Sequence, residues 1–325
     1  MMAHQAMKGG RRDRYLGALF GLAVGDALGF PVQFKRPGEF EPVRGMRFWP
    51  GGAAEATWSD DTSMALCLAE SLLATGGFDP ADQMARYVRW LDHGHLSSRD
   101  RAVDVGDTVY RALLGYKRTR EPFSGPDDAF SAGNGSLMRL APVPMFFAAD
   151  PALAVEMSGL SSRTTHQARS CIDACRYFGG LLAGALRGAS REELLAGVYE
   201  PYPGAWEVEP LCDEILEVAE GSFKLREPPL IRGTGHVTRS LEAALWAFYR
   251  AETFREAVLM AVNLGDDADT TGAICGQLAG ACWGFSTIPE EWSGCVARWQ
   301  LIADMANALC DMAGKDAGDD DVRTV

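Results

Sequence analysis

The sequence predicts an all-α protein. Two observations carry this. Apolar residues recur at helical spacing: Leu16, Leu19, Phe20, Ala23, Val24, Ala27 and Leu28 stand at offsets 0, 3, 4, 7, 8, 11 and 12. Alternating apolar and polar runs of strand length are nearly absent, and Gly/Pro-rich stretches separate the periodic ones. The first helix is therefore expected at 16–28. Residues 62–74, 81–92, 103–115, 168–186, 191–198, 211–220, 238–250, 254–263 and 296–312 read as helices in the same way. Loops are expected at 35–57, 117–135, 200–207 and 221–236. The uncharged stretch 270–288 is about the length of a membrane span. It holds Gln277, hydroxyls and four glycines, so it reads better as a buried helix. No composition break marks a linker, so one domain is expected over 12–313, followed by a mobile acidic tail at 314–325.

Composition narrows the function. Of 325 residues 47% are hydrophobic and 23% charged, which excludes wholesale disorder. Acidic residues outnumber basic ones 44 to 31, for a net charge of −13. That balance argues against general nucleic-acid binding, which needs a basic face. It leaves room for a phosphate-bearing ligand if a bound cation reverses the local field. The eight cysteines form no CxxC. They read as free thiols in a reducing cytoplasm, and the N-terminus lacks the apolar stretch of a signal peptide. The oligomeric state is left open.

Two helices carry glycine every fourth residue: Gly17, Gly21, Gly25 and Gly29 in one, Gly272, Gly276, Gly280 and Gly284 in the other. Each glycine costs about 1 kcal/mol against alanine. Close backbone approach between two central helices would offset that cost.

Carboxylates and hydroxyls crowd at two helix starts. One cluster is Trp58-Ser59-Asp60-Asp61-Thr62-Ser63-Met64; the other is Gly265-Asp266-Asp267-Ala268-Asp269-Thr270-Thr271-Gly272. N-capping explains one or two such residues per helix. It does not explain adjacent aspartates, whose repulsion calls for a cation. Hard oxygen ligands suit Mg²⁺ or Mn²⁺ rather than zinc, and five carboxylates could hold two ions. A third element, Gly133-Asn134-Gly135-Ser136-Leu137-Met138-Arg139, frees backbone N–H groups to wrap an anion, or forms a plain turn.

With Gly21-Leu22-Ala23-Val24-Gly25-Asp26-Ala27-Leu28-Gly29, Thr165-His166 and Leu241-Glu242-Ala243-Ala244-Leu245-Trp246-Ala247-Phe248, these segments stand in one order over about residues 13–313. In that order they resemble the ADP-ribosylglycohydrolase family. The resemblance implies an all-α hydrolase with two Mg²⁺ (or Mn²⁺) ions that releases ADP-ribose from an ADP-ribosylated acceptor. It implies Ser59, Asp60, Asp61, Asp267, Asp269 and Thr270 as metal ligands, with Asp61, Asp104 and Asp267 at the chemistry. Gly133, Asn134, Gly135, Ser136 and Met138 are implied at the ligand's diphosphate, and His166 and His236 as ligand contacts; a structural role for His166 and a helix cap for Asp104 are the plainer alternatives. Asp26 is expected to be structural or to stand behind the ligands.

The chain departs from the family pattern at Ser59, where threonine is frequent, at Asp266, where some relatives have glycine, and at His236, often tyrosine. The largest departure is Gln33, where many members carry a glutamate; an amide cannot serve as a base. Two readings follow: an active hydrolase, with protein arginine preferred over serine, a nucleic-acid end or a small metabolite as acceptor, or a catalytically weak ADP-ribose-binding protein of the same fold.

Overall fold

A computed structural model describes residues 9–47 and 56–315. In chain order the helices are α1 (Arg11–Gly29), α2 (Asp60–Thr75), α3 (Pro80–His93), α4 (Asp107–Thr119), α5 (Pro142–Phe147), α6 (Pro151–Arg163), α7 (Arg169–Arg187), α8 (Arg191–Leu194), α9 (Asp213–Ala219), α10 (Ser222–Leu225), α11 (Val237–Arg250), α12 (Phe254–Val262), α13 (Ala268–Trp283), α14 (Glu290–Ser293) and α15 (Trp299–Lys315). A single 3-10 turn, Phe30–Val32, extends α1. Among the described residues, strand pairing is limited to two isolated bridges, Ala56 with Val296 and Gly133 with His236.

The antiparallel pair α1 and α13 is the axis of the fold. Gly17 faces Gly280, Gly21 faces Gly276 and Gly25 faces Gly272, and a Cβ on any of them would land inside the facing carbonyl group. The glycine stripes thus let the two backbones touch. Helices α7, α11, α12 and α15 pack around this pair, and α2 meets it end-on. The antiparallel arrangement sets the end of α1 beside the start of α13.

Several boundaries differ from the expected ones. The helix expected at 103–115 begins at Asp107, because Asp104 takes a left-handed φ of 56° and Gly106 is the extended residue before the helix. The uncharged stretch 270–288 is not one helix: it enters the 16-residue helix Ala268–Trp283, which stops at Gly284, where φ is 87°. That is too short to span a bilayer. Only α1 with its 3-10 turn is long and apolar enough among the described residues, and 89% of its most apolar window is buried within the chain. Helices α5 and α6 were not anticipated. The start of α6 is fixed by Asp150, whose carboxylate accepts the N–H groups of Ala152 at 3.0 Å and Leu153 at 3.1 Å. The expected loop 221–236 contains α10, and α15 runs on to residue 315; residues 48–55 and 316–325, parts of an expected loop and of the expected tail, lie outside the described residues. All eight cysteines are free.

Candidate active site

Three helix ends converge: the end of α1, the start of α2 and the start of α13. Asp26 ties the first two together. Its two carboxylate oxygens accept the Ser59 N–H at 2.9 and 3.1 Å, and Oδ2 also accepts the Thr62 N–H at 3.1 Å and the Thr62 hydroxyl at 2.6 Å. Helix α2 is therefore capped by a residue of another helix, while Ser59, at its own N-cap position, makes no side-chain cap. Asp267 likewise does not cap α13 with its side chain. Local capping does not account for either acidic cluster.

Carboxylate oxygens of Asp26, Asp61 and Asp269 lie within 4.8 Å of one another, all three residues buried. Burial and mutual repulsion hold the carboxyls of Asp60, Asp61 and Asp269 well above the usual carboxylate range. Burial likewise pushes Asp26 up to about 6, against the pull of its four hydrogen bonds, and raises Asp267. Two buried oxygens, Asp61 Oδ1 and Asp269 Oδ2, have no hydrogen-bond partner among the described residues. An orphaned carboxylate oxygen in the interior is costly, and a hard divalent cation would satisfy it. The donor set is all oxygen, so the residues fit Mg²⁺ or Mn²⁺. Asp26 is already engaged through both oxygens and serves as the support behind this group.

Above the carboxylates opens a cavity of about 340 Å³. Of the expected ligands Asp60, Asp267 and Thr270 line it, while Ser59, Asp61 and Asp269 lie buried behind. The Ser59 hydroxyl donates to Asp61 Oδ2 at 2.9 Å. Gln33 and Asp104 line the same cavity, and the Gln33 amide donates to the Asp104 carboxylate. Gln33 thus acts as a hydrogen-bond donor inside the cavity. Asp104 is not a helix cap.

The loop before α5 forms the far wall, with Gly133, Asn134, Gly135 and Met138 lining the cavity beside His166. The Asn134 amide donates to Asp267 Oδ2 at 2.6 Å and to the Ser240 hydroxyl at 2.8 Å, which fixes the loop to the floor. Its N–H is bound to Gly235 O, whereas those of Gly133, Gly135 and Ser136 have no protein acceptor among the described residues. Free N–H groups on a glycine-rich turn are suited to an anion. A Cβ at Gly135 would meet His166 Cε1 at 2.9 Å, so only glycine fits there.

The side chains of Ser136 and His236 do not line this cavity. The Ser136 side chain turns into the core, where its oxygen accepts from Ser162 Oγ at 2.8 Å and Cys175 Sγ at 3.5 Å. The His236 ring lines a separate polar pocket with Arg226, Arg239 and Glu242; only its backbone pairs with the loop, opposite Gly133.

The cavity's lip pairs Asp266, which stands in the second acidic cluster, with a residue that was not anticipated. Phe34, 73% exposed, and Asp266 both line it. Both have left-handed φ angles, 62° and 60°, and they are clasped by Phe34 N–H to Asp266 O at 2.6 Å and Asp266 N–H to Lys35 O at 2.7 Å. Strained non-glycine backbone gathers at functional sites. Nothing in residue type alone flags a left-handed phenylalanine.

Comparison with known proteins agrees with this geometry. A profile of the ADP-ribosylglycohydrolase family matches residues 7–318. Over 302 residues the chain is 39% identical to an ADP-ribosylarginine hydrolase, Tri1, of Pseudomonas putida (strain GB-1), covering 93% of this chain and 79% of that one. It is 32% identical over 299 residues to the ADP-ribosyl-[dinitrogen reductase] glycohydrolase of Rhodospirillum rubrum, covering 86% and 89%. A solved structure described as an ADP-ribosylglycohydrolase-related protein complex superposes with a TM-score of 0.78 at 43% identity, over 93% of this chain and 99% of that chain. With a helical frame, two converging acidic clusters and a match along nearly its whole length, the chain belongs to the ADP-ribosylglycohydrolase family.

Proposed function

We propose that this protein hydrolyses the bond between ADP-ribose and an arginine of a modified protein, with two Mg²⁺ or Mn²⁺ ions at its acidic clusters. The orphaned oxygens of Asp61 and Asp269 beneath the cavity carry this reading. Arginine as acceptor rests on the similarity to ADP-ribosylarginine hydrolases at 39% and 35% identity. Ser59, Asp60, Asp61, Asp267, Asp269 and Thr270 would hold the ions. When bound, divalent cations supply Lewis acidity, fixing sugar hydroxyls and stabilising developing negative charge.

The chain's own residues do the rest. The Gly133–Ser136 turn offers N–H groups to the diphosphate. Asn134 holds that turn and Asp267 in a fixed relation. Asp104 is the group that accepts a proton from the attacking water, and Gln33 orients its carboxylate. Water oxygen joins the ribose anomeric carbon, the carbon–nitrogen bond breaks, and the departing guanidine takes up a proton. The same reading places the protein in the cytoplasm, where eight free thiols stay reduced.

The test is a release assay on ADP-ribosylated arginine, serine and nucleic-acid ends, with Mg²⁺, Mn²⁺ or EDTA. Metal-dependent release from arginine supports the proposal. Tight ADP-ribose binding with no product from any acceptor would establish the binding protein instead, the reading that the neutral Gln33 favours.

A further inference from the structure

Arg139 is fully buried, yet no carboxylate pairs with it among the described residues. Buried charges ordinarily do pair. Its Nη1 donates to Gly135 O at 3.0 Å, and its Nη2 donates to Thr165 Oγ1 at 2.7 Å and to Thr164 Oγ1 at 3.2 Å. The guanidinium lies 4.7 Å from the centroid of the Tyr87 ring. It sits directly beneath the turn that carries the free N–H groups, and it draws the Gly135 carbonyl inward, away from the cavity.

A guanidinium can only donate. Thr165 Oγ1 therefore accepts from Arg139, and its own proton must go elsewhere. Among the described residues the one other partner of that oxygen is His166 Nδ1, at 2.9 Å. With the hydroxyl donating to Nδ1, the ring carries its proton on Nε2. The opposite tautomer would leave the buried threonine proton without an acceptor. Burial, with the charges of Arg139 and Arg111, takes the His166 pKa down to about 3, so the ring is neutral. Nε2 lies 3.3 Å from the point where a Cβ on Gly133 would stand, and His166 lines the cavity.

We propose that Arg139 and Thr165 are positioning residues that lock His166 as an Nε2–H donor aimed at a phosphate oxygen of the ligand. The unpaired charge of Arg139, set under the turn, adds its attraction for the same anion. The proposal rests on the reading that this cavity takes the ADP-ribose moiety.

The test uses Mg²⁺-loaded protein labelled with ¹⁵N-histidine. Long-range ¹H–¹⁵N correlation is expected to show His166 as the Nε2–H tautomer before any ligand is added. Thr165→Val is expected to lose that fixed tautomer, to weaken ADP-ribose binding by calorimetry about tenfold, and to raise KM with kcat changed less than about twofold. Thr165→Ser keeps the hydroxyl and is expected to restore all three. An Nδ1–H tautomer in the wild type overturns the proposal. So does a folded Thr165→Val variant with wild-type affinity, or a folded Thr165→Ser variant that restores nothing. A wild type that shows Nε2–H but binds no ADP-ribose overturns the ligand assignment and the functional reading together.

Discussion

Asp26 and Thr62 meet through two hydrogen bonds, 2.6 Å from the hydroxyl and 3.1 Å from the N–H, so that one helix is capped by a residue 36 positions earlier. Both lie at 0% exposure, directly behind the carboxylates of Asp61 and Asp269.

Asp26→Asn keeps the shape and removes the charge. Its amide would turn donors toward donors at Ser59 and Thr62. The expected cost is on the order of 2–3 kcal/mol, read by denaturant unfolding in EDTA. Metal affinity, read by calorimetry, is expected to fall with it. Wild-type stability would remove Asp26 from its place as the cap of α2.

The double variant Asp60→Ala, Asp269→Ala takes one oxygen donor from each cluster. Calorimetric binding of Mg²⁺ and Mn²⁺ is expected to vanish while the helical circular dichroism stays. Unchanged metal affinity would sink the assignment of the clusters as ligands.

The acidic group also sets a pH dependence. Asp26 stands at about 6 in the folded protein against about 3.9 in an unfolded chain. A group whose folded pKa is raised binds its proton more tightly when folded, so stability falls as pH rises from about 4 to about 6. Asp60, Asp61 and Asp269 are pushed in the same direction. The EDTA-treated protein should therefore melt at a lower temperature at pH 7 than at pH 5. Adding Mg²⁺ should raise Tm more at pH 7 than at pH 5. A metal-free Tm that climbs between those pH values contradicts this account.

Gln33→Glu would set a second carboxylate against Asp104 in place of a donor. Turnover on ADP-ribosylarginine is expected to fall at least about tenfold, as expected when a charge-assisted hydrogen bond gives way to repulsion. A faster enzyme would show that the amide limits the wild type.

Much of this architecture was open to inspection in the residues. The apolar residues that mark the period of α1 lie in its buried part, from Tyr15 to Gly29. The acidic clusters were visible because adjacent carboxylates have no cheap local explanation. What stayed hidden depends on distant partners or on single backbone angles. Asp26 shows as a misplaced charge, but its partners lie 33 and 36 residues away. Asp104 shifts the start of α4 through one left-handed φ, which leaves no mark on hydrophobic spacing. In α6, Ala, Ser and Gly take many of the inward positions, so its period is faint. Arg139 lay in plain view within a recognised segment, yet only the fold reveals that no carboxylate among the described residues pairs with it.

The facing glycines have a further consequence for how the chain finds its native pairing. A stripe with a period of four is degenerate under translation. Sliding α1 along α13 by four residues, about 6 Å, would set Gly17 on Gly284, Gly21 on Gly280, Gly25 on Gly276 and Gly29 on Gly272, one matched level more than the native alignment has. Choice between the two alignments must come from pegs at the ends. Asp13 supplies one, accepting the Ser286 N–H and hydroxyl, each at 2.9 Å, and the backbone clasp of Phe34 and Lys35 with Asp266 supplies the other. In the slipped alignment Asp13 leaves Ser286, and the carboxylates of Asp26 and Asp269 no longer meet. A cation shared by the clusters would act as a proofreader of alignment, since only the native one brings those carboxylates together.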